Sequence, residues 1–380
     1  MRKIVGILIL LVSLVILGTA MNQGFINKIK TDKYIDHISS VKKQRPSWYY
    51  NLFVQSDRWH DGDLYGLCYL HPFKQELAPF KSYPTITGKP DTNRILYIIG
   101  DSYLADKTLN GAFDAFDNVV YLDRRFPFGP IVLDTTKQNY LLMEFAERNL
   151  PGYSLKKTGE ITWQVNDIHD KKYQDKSNAQ QYTAMKPVSF FERIGNIIFN
   201  KDLSRNLELM LFDHKAYTPV KEAKASFNYN LLGQMFPKEV AISTDQQRLF
   251  LNITVDTSNA ESSFKFKSNQ DIRIITARLD SARDYYQAIG FKKVYLSVIP
   301  NTVSLCDNKR MTYNHLLQRV EQHTDLPDIS IFNQFSTTQP KHNLFYYNDA
   351  HWNPHGFDLW VNIVNHSFTD EFGVTNNESH

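Results

Sequence analysis

The sequence predicts an α/β protein, a flavodoxin-like three-layer α/β/α domain with a parallel sheet plus an insertion containing short strands. Three observations predict it. Short apolar runs recur, each too short for a helix and ended by a polar or turn residue. The segments between them are long enough to return the chain by a helix, as parallel strands need. A last segment, 353–368, carries apolar residues at helical spacing behind a helix-start signal.

The first strand is expected at Ile95-Leu96-Tyr97-Ile98-Ile99, launched by the turn Lys89-Pro90-Asp91 and ending at Gly100. A helix is expected after it. Asn118-Val119-Val120-Tyr121-Leu122 is the second strand, closed by Asp123-Arg124-Arg125, and Tyr140 to Phe145 the third. Lys293 to Ile299 is the fourth, ended by Pro300-Asn301. Before it, Ile274, Ala277, Leu279, Ala282, Tyr285 and Ala288 approximate a helical face over 271–289, which Gly290 stops. The tract 151–270 breaks the alternation and is expected to be an insertion. Within it, 189–200 suggests a helix, and Glu239–Val255 alternates as two small strands would. Near the carboxyl end, Asn353 suits an N-cap and Pro354 the first helical position. Phe357, Trp360, Val361 and Val364 then share one face.

Composition limits the function classes. The 380 residues suffice for a full α/β core and a smaller region. Lys+Arg 43 against Asp+Glu 40 is too balanced to argue for nucleic acid. The two cysteines, Cys68 and Cys306, exclude a structural zinc cluster and leave open a disulfide or two unrelated thiols. Arg2 and Lys3 precede an apolar stretch from Ile4 to Leu17 that ends in Gly18-Thr19-Ala20. This describes a signal peptide or an uncleaved membrane anchor over 1–21. Either one exports the chain beyond residue 21, because the positive charges stay inside. The localisation expected is therefore secreted or membrane-anchored, in the periplasm or at the cell surface. Residues 22–90 are expected to be a membrane-proximal spacer and irregular segment, and 91–150 with 271–370 the catalytic domain.

Chemistry concentrates at Gly100-Asp101-Ser102 and at Asp349-Ala350-His351-Trp352. A serine at the carboxyl end of a strand stands where open α/β sheets hold their ligands. Its hydroxyl becomes a nucleophile when an imidazole takes its proton and a carboxylate orients that imidazole. His351 and Asp349 supply both. Taken one at a time, the three have ordinary structural uses: Ser102 as a helix cap, Asp349 as a solvated loop residue, His351 as incidental. Their joint placement points to acyl transfer. His351 and His355 also have the H-x3-H spacing of a metal pair with Asp349 as a third ligand. Pro354 between them starts the helix too late to make the rings converge, so no metal and no cofactor is expected. Oxyanion or substrate contacts are sought at the other strand ends: Asp101, Arg124, Arg125, Arg148, Asn149 and Asn301.

These motifs resemble the SGNH/GDSL hydrolase superfamily, and within it the branch of alginate O-acetylation proteins and related envelope acyltransferases. The resemblance rests on Ile99-Gly100-Asp101-Ser102, on Asp349-Ala350-His351-Trp352 and on the layout behind a signal or anchor. It implies Ser102 as nucleophile, His351 as general base and Asp349 as its orienter. It further implies O-acetylation or deacetylation of an envelope polysaccharide, with a membrane-bound O-acyltransferase as acyl donor if the enzyme is a transferase. The superfamily's Gly-x-Asn-Asp block is absent; Met143 to Asn149 stands in its place. A carbohydrate-binding or polysaccharide-assembly protein with the same shell is the non-enzyme alternative, for which Trp48, Tyr49, Tyr50, Trp59 and Tyr65 could stack on sugars.

Overall fold

In the computed structural model, the four apolar runs form one parallel sheet: β1 (Arg94–Gly100), β2 (Asn118–Asp123), β3 (Gln138–Ala146) and, later in the chain, β7 (Lys293–Ile299). A two-residue strand, β4 (Thr162–Trp163), adds to β2 in the antiparallel sense, and the order is β4-β2-β1-β3-β7. The structure describes residues 2–22, 24–29, 32, 48–54, 59–60, 62, 64, 67–76, 78–86, 91–105, 107–124, 131, 133–155, 162–163, 203–211, 215–232, 239–338 and 344–374. The helix expected over 189–200 lies outside them. Two more strands, β5 (Val240–Ile242) and β6 (Leu249–Leu251), pair as the small antiparallel hairpin anticipated in 239–255.

The chain divides into two compact units. The first takes Met1–Asp61, Tyr65–Pro79 and Met185–Phe236; the second takes Gly62–Leu64, Phe80–Ala184 and Pro237–His380. The tract expected to be a single insertion is therefore shared. Its part 185–236 belongs with the amino-terminal region, whereas 237–270 belongs with the sheet. The physical reason lies in the hairpin: Leu249 N–H donates to Tyr347 O at 2.8 Å, and Arg248 Nη1 donates to the carbonyls of Phe345 and Tyr346 at 3.0 and 2.6 Å.

The first unit contains α1 (Arg2–Met21), α2 (Leu203–Leu211) and α3 (Thr218–Ser226). α1 is about 30 Å long at 1.5 Å per residue, and its side chains from Ile4 to Val15 are largely exposed. Its last turn is buried: Ala20 O accepts from Asn206 Nδ2 of α2 at 3.0 Å. This helix has the length and composition of a signal peptide or membrane anchor.

In the second unit, the sheet is covered on both faces. That explains why its strands read as unbroken apolar runs. One face buries Leu96, Ile98, Tyr121 and Leu142 against Phe357, Trp360, Val361, Val364 and Phe368. The other buries Ile95, Tyr97, Ile99 and Met143 against Ile275, Leu279, Leu317 and Val320. The helices concerned are α4 (Asn269–Ala288), α6 (Leu316–His323) and α8 (Pro354–Phe372), with short α5 (Thr302–Cys306) and α7 (Phe332–Thr337) between them. α4 starts on a capping box of Ser268 and Asp271. Its inward positions are Ile272, Ile275, Leu279, Ala282 and Tyr286, while Ile274, expected inside, is 41% exposed. The spacing 3-4-3-4 keeps one stripe against the sheet, which the set starting at Ile274 does not. α8 begins where expected, with Asn353 accepting from the N–H groups of His355 and Gly356.

Candidate active site

Strand pairing brings the ends of distant segments to one edge. Gly100 pairs with Asp123, and Ala146 with Ile299. Residues just past these ends therefore converge: Ser102 after β1, Arg124 after β2, Arg148 and Asn149 after β3, Asn301 after β7. The order β2-β1-β3 makes the chain turn to opposite sides of β1, and a crevice at the carboxyl ends of such strands is the ligand site of open α/β sheets.

The expected helix after Ser102 does not form; residues 102–105 make turns. Asp101 is the cause. Its carboxylate accepts from Tyr103 N–H at 3.1 Å, an Asx turn that competes with helical bonding. It also accepts from Ala146 N–H and Asn149 Nδ2, both at 3.1 Å, and Tyr121 Oη donates to its carbonyl at 2.5 Å. Asp101 is thus a buried tie between β1 and β3, and Asn149 is its partner.

Tyr103 carries the other half of the site. Its hydroxyl donates to Ala350 O at 2.6 Å, while its carbonyl accepts from Trp352 Nε1 at 3.2 Å. The loop held this way is closed at its neck by the Phe345–Trp352 bridge and by Asn353 N–H to Leu344 O at 3.1 Å. Within it, Asp349 Oδ1 accepts from His351 N–H at 2.8 Å and meets His351 Nδ1 at 2.6 Å. One oxygen fixes both the turn and the ring. His351 Nε2 then meets Ser102 Oγ at 2.7 Å. With Asp349 ionised, the network places the ring proton on Nδ1 and leaves Nε2 to accept from the serine hydroxyl. The Asp349 side chain is 9% exposed and that of His351 26%, so the carboxylate is shielded and the imidazole reachable.

Of the candidates at the strand ends, Arg148 comes nearest this chain of groups: its Nη1 donates to Tyr103 Oη at 3.2 Å, and its guanidinium lies 5.5 Å from that ring. Arg124 extends the β1–β2 ladder through its N–H to Gly100 O at 2.9 Å and stacks over Phe145 and Tyr153. Arg125 lies outside the described residues. Asn301 is buried; its N–H donates to Glu147 Oε2 at 2.9 Å and its Nδ2 to Ser263 Oγ at 3.0 Å. The paired H-x3-H histidines are used separately. Both ring nitrogens of His351 are engaged by Asp349 and Ser102, and His355 N–H is held by the Asn353 cap.

Two carboxyl groups escaped the sequence reading. Glu144 and Glu147 are fully buried beneath this edge. Burial, reinforced by the charge of Asp101, holds the Glu144 carboxyl well above the usual carboxylate range. Burial pushes Glu147 up to about 7, against hydrogen bonds from Asn301 N–H and the Tyr313 hydroxyl. Glu144 Oε2 accepts from Asp101 N–H at 3.2 Å and would sit 2.6 Å from a Cβ at position 100. Gly100 is required by that close approach. A charged residue inside an otherwise apolar buried strand was the available signal; Tyr103 had none.

No family model, curated protein or solved structure matches this chain.

Proposed function

We propose that the protein is an exported, serine-dependent acyl-transfer enzyme that adds or removes O-acyl groups on a cell-envelope polysaccharide. The observation that carries this reading is the continuous chain Ser102 Oγ–His351 Nε2, 2.7 Å, and His351 Nδ1–Asp349 Oδ1, 2.6 Å. Its ingredients are those of nucleophilic acyl transfer on several unrelated folds. The likeness to the SGNH/GDSL superfamily and the apolar α1 support the substrate class and the export.

The chemistry runs in two steps. His351 Nε2 takes the Ser102 proton while Oγ bonds to the ester carbonyl carbon. The ester's C–O bond then breaks, and the departing alkoxide takes the proton from Nε2–H. In the second step a hydroxyl of sugar or water gives its proton to Nε2, attacks the acyl carbon and releases Ser102 Oγ, which recovers a proton. Asp349 stabilises the imidazolium formed in each step. Ser102 is succeeded by turns, so no helix dipole assists the developing oxyanion. The Ser102 N–H and the guanidinium of Arg148, held by Tyr103, are the donors assigned to it, each worth ~3–4 kcal/mol. An acyl donor on the same side of the membrane would come from a membrane-bound O-acyltransferase.

The test uses a fluorophosphonate probe and p-nitrophenyl acetate on purified protein. Labelling of Ser102 and ester turnover are expected, both lost in Ser102→Ala. A protein that neither labels nor turns over is a sugar-binding or assembly component instead.

A further inference from the structure

At the carboxyl edge, beside β6, runs a groove of about 230 Å³, counting its solvent-open mouth, with walls that include Arg148, Phe250, Leu251, Asn301, Thr302 and Ala350. Two of these belong to the site described above. Ala350 separates Asp349 from His351 and takes the Tyr103 hydroxyl; Arg148 donates to the same hydroxyl. Thr302 Oγ1 also reaches Ala350 O, at 3.5 Å.

Asn301 is 2% exposed, and its Oδ1 has no hydrogen-bond partner among the described residues. A buried amide oxygen left unpaired is costly, so one in the wall of a groove next to a reactive serine points to a ligand group. The ligand's chemistry comes from the amide. If the amide is turned over, Ser263 donates to Oδ1 and an N–H is left unpaired instead. A hydroxyl both donates and accepts, so it satisfies either orientation; a carboxylate or phosphate satisfies only one. Phe250 and Leu251 supply apolar surface suited to the C–H face of a sugar ring.

We propose that this groove is the acceptor subsite, seating a neutral sugar ring with one hydroxyl on the Asn301 amide so that a neighbouring hydroxyl reaches the acyl carbon on Ser102. The proposal rests on the acyl-enzyme reading and adds that the enzyme transfers to sugar in preference to water. The atoms balance as in the second step above: the sugar O–H proton goes to His351 Nε2, the sugar oxygen bonds to the acyl carbon, and Ser102 Oγ leaves.

The experiment acylates the full chain with p-nitrophenyl acetate in the presence of methyl β-glucopyranoside, methyl β-galactopyranoside or xylobiose. Sugar acetate and free acetate are counted by mass spectrometry, per fluorophosphonate-reactive serine. Wild type should form sugar acetate with at least one acceptor. Asn301→Ala should lower the ratio of sugar acetate to acetate by roughly tenfold, the worth of one hydrogen bond. Leu251→Trp, which fills the groove and leaves the Asn301 contacts in place, should lower it as much. The subsite is overturned if wild type esterifies none of the three, or if both variants keep the wild-type ratio. It is equally overturned if Leu251→Trp changes only the preferred acyl length, since the groove would then hold the acyl chain. Absent labelling and absent ester turnover would sink the serine reading itself, a separate result.

Discussion

The two edges of the parallel sheet are built from the same residue types and treat them oppositely. At the amino edge, Asp117 accepts from Thr92 N–H at 2.6 Å, Thr92 Oγ1 at 2.7 Å and Lys137 Nζ at 2.7 Å, and Lys137 also bridges to Asp91 at 2.6 Å. Burial opposes ionisation of Asp117, but the Lys137 and Thr92 hydrogen bonds more than offset it and hold the carboxyl below its usual range. Charges there are paired and partly solvated. At the carboxyl edge, Glu144 and Glu147 are sealed from water and pushed toward the neutral form, and Glu144 Oε1 and Asn301 Oδ1 lack partners among the described residues. The amino edge is built for stability. Perturbed, incompletely satisfied groups gather where chemistry is done, and the carboxyl edge holds Ser102 and His351.

The largest expected effect separates the edges by function. Asp349→Asn should cut ester turnover by roughly 10⁴-fold, because the amide favours the wrong imidazole tautomer. Thermal unfolding should barely move. Equal turnover in the variant and wild type would show that the carboxylate does not orient His351.

The next effect is pH dependence of opposite sign. The Glu147 carboxyl rises from an ordinary 4.5 to about 7 on folding. Between those values the folded protein keeps a proton that the unfolded chain has released. Its contribution is therefore full below 4.5 and is lost as pH climbs toward 7, on the order of 3 kcal/mol. Glu147→Gln should flatten that fall in Tm, although Glu321, also pushed up to about 7 by burial, will keep part of it. Asp117 behaves in reverse. Its stability is present above 3.8 and lost as pH drops below, so Asp117→Asn should blunt acid unfolding. Denaturation scans across pH read both; parallel curves for Glu147→Gln and wild type between 4.5 and 7 would break the contrast.

The smallest effect probes the tight packing of the carboxyl edge. In Gly100→Ala, the new methyl would lie 2.6 Å from Glu144 Oε2 and 2.8 Å from Tyr121 Cε2. Loss of ~1–3 kcal/mol is expected from overpacking, measured by denaturant midpoint. An unchanged midpoint would mean that Glu144 does not press on the strand end.

Much of this architecture was legible in the chain. Ile95–Ile99, Asn118–Leu122 and Lys293–Ile299 announced buried strands because burial on both faces demands apolar residues throughout. Asn353-Pro354 announced α8 because an N-cap and a preset φ act locally. The Asp349-x-His351 spacing already contained the Asx turn that orients the ring. Other features were hidden. The turn after Ser102 depends on Asp101 reaching Ala146 and Asn149 across a neighbouring strand. Residues 239–268 join the sheet unit through Arg248 and Leu249, which bond to a loop 97 and 98 positions beyond Arg248.

The sequence by itself determined the strands, the last helix and the residue types of the triad, since periodicity and capping operate over a few residues. Tertiary structure alone decided that Ser102 meets His351 across 249 positions, that Tyr103 clamps the histidine loop and that two glutamates lie buried beneath Gly100. Those outcomes depend on which strand ends become neighbours, and pairing between distant segments leaves no local pattern in the chain.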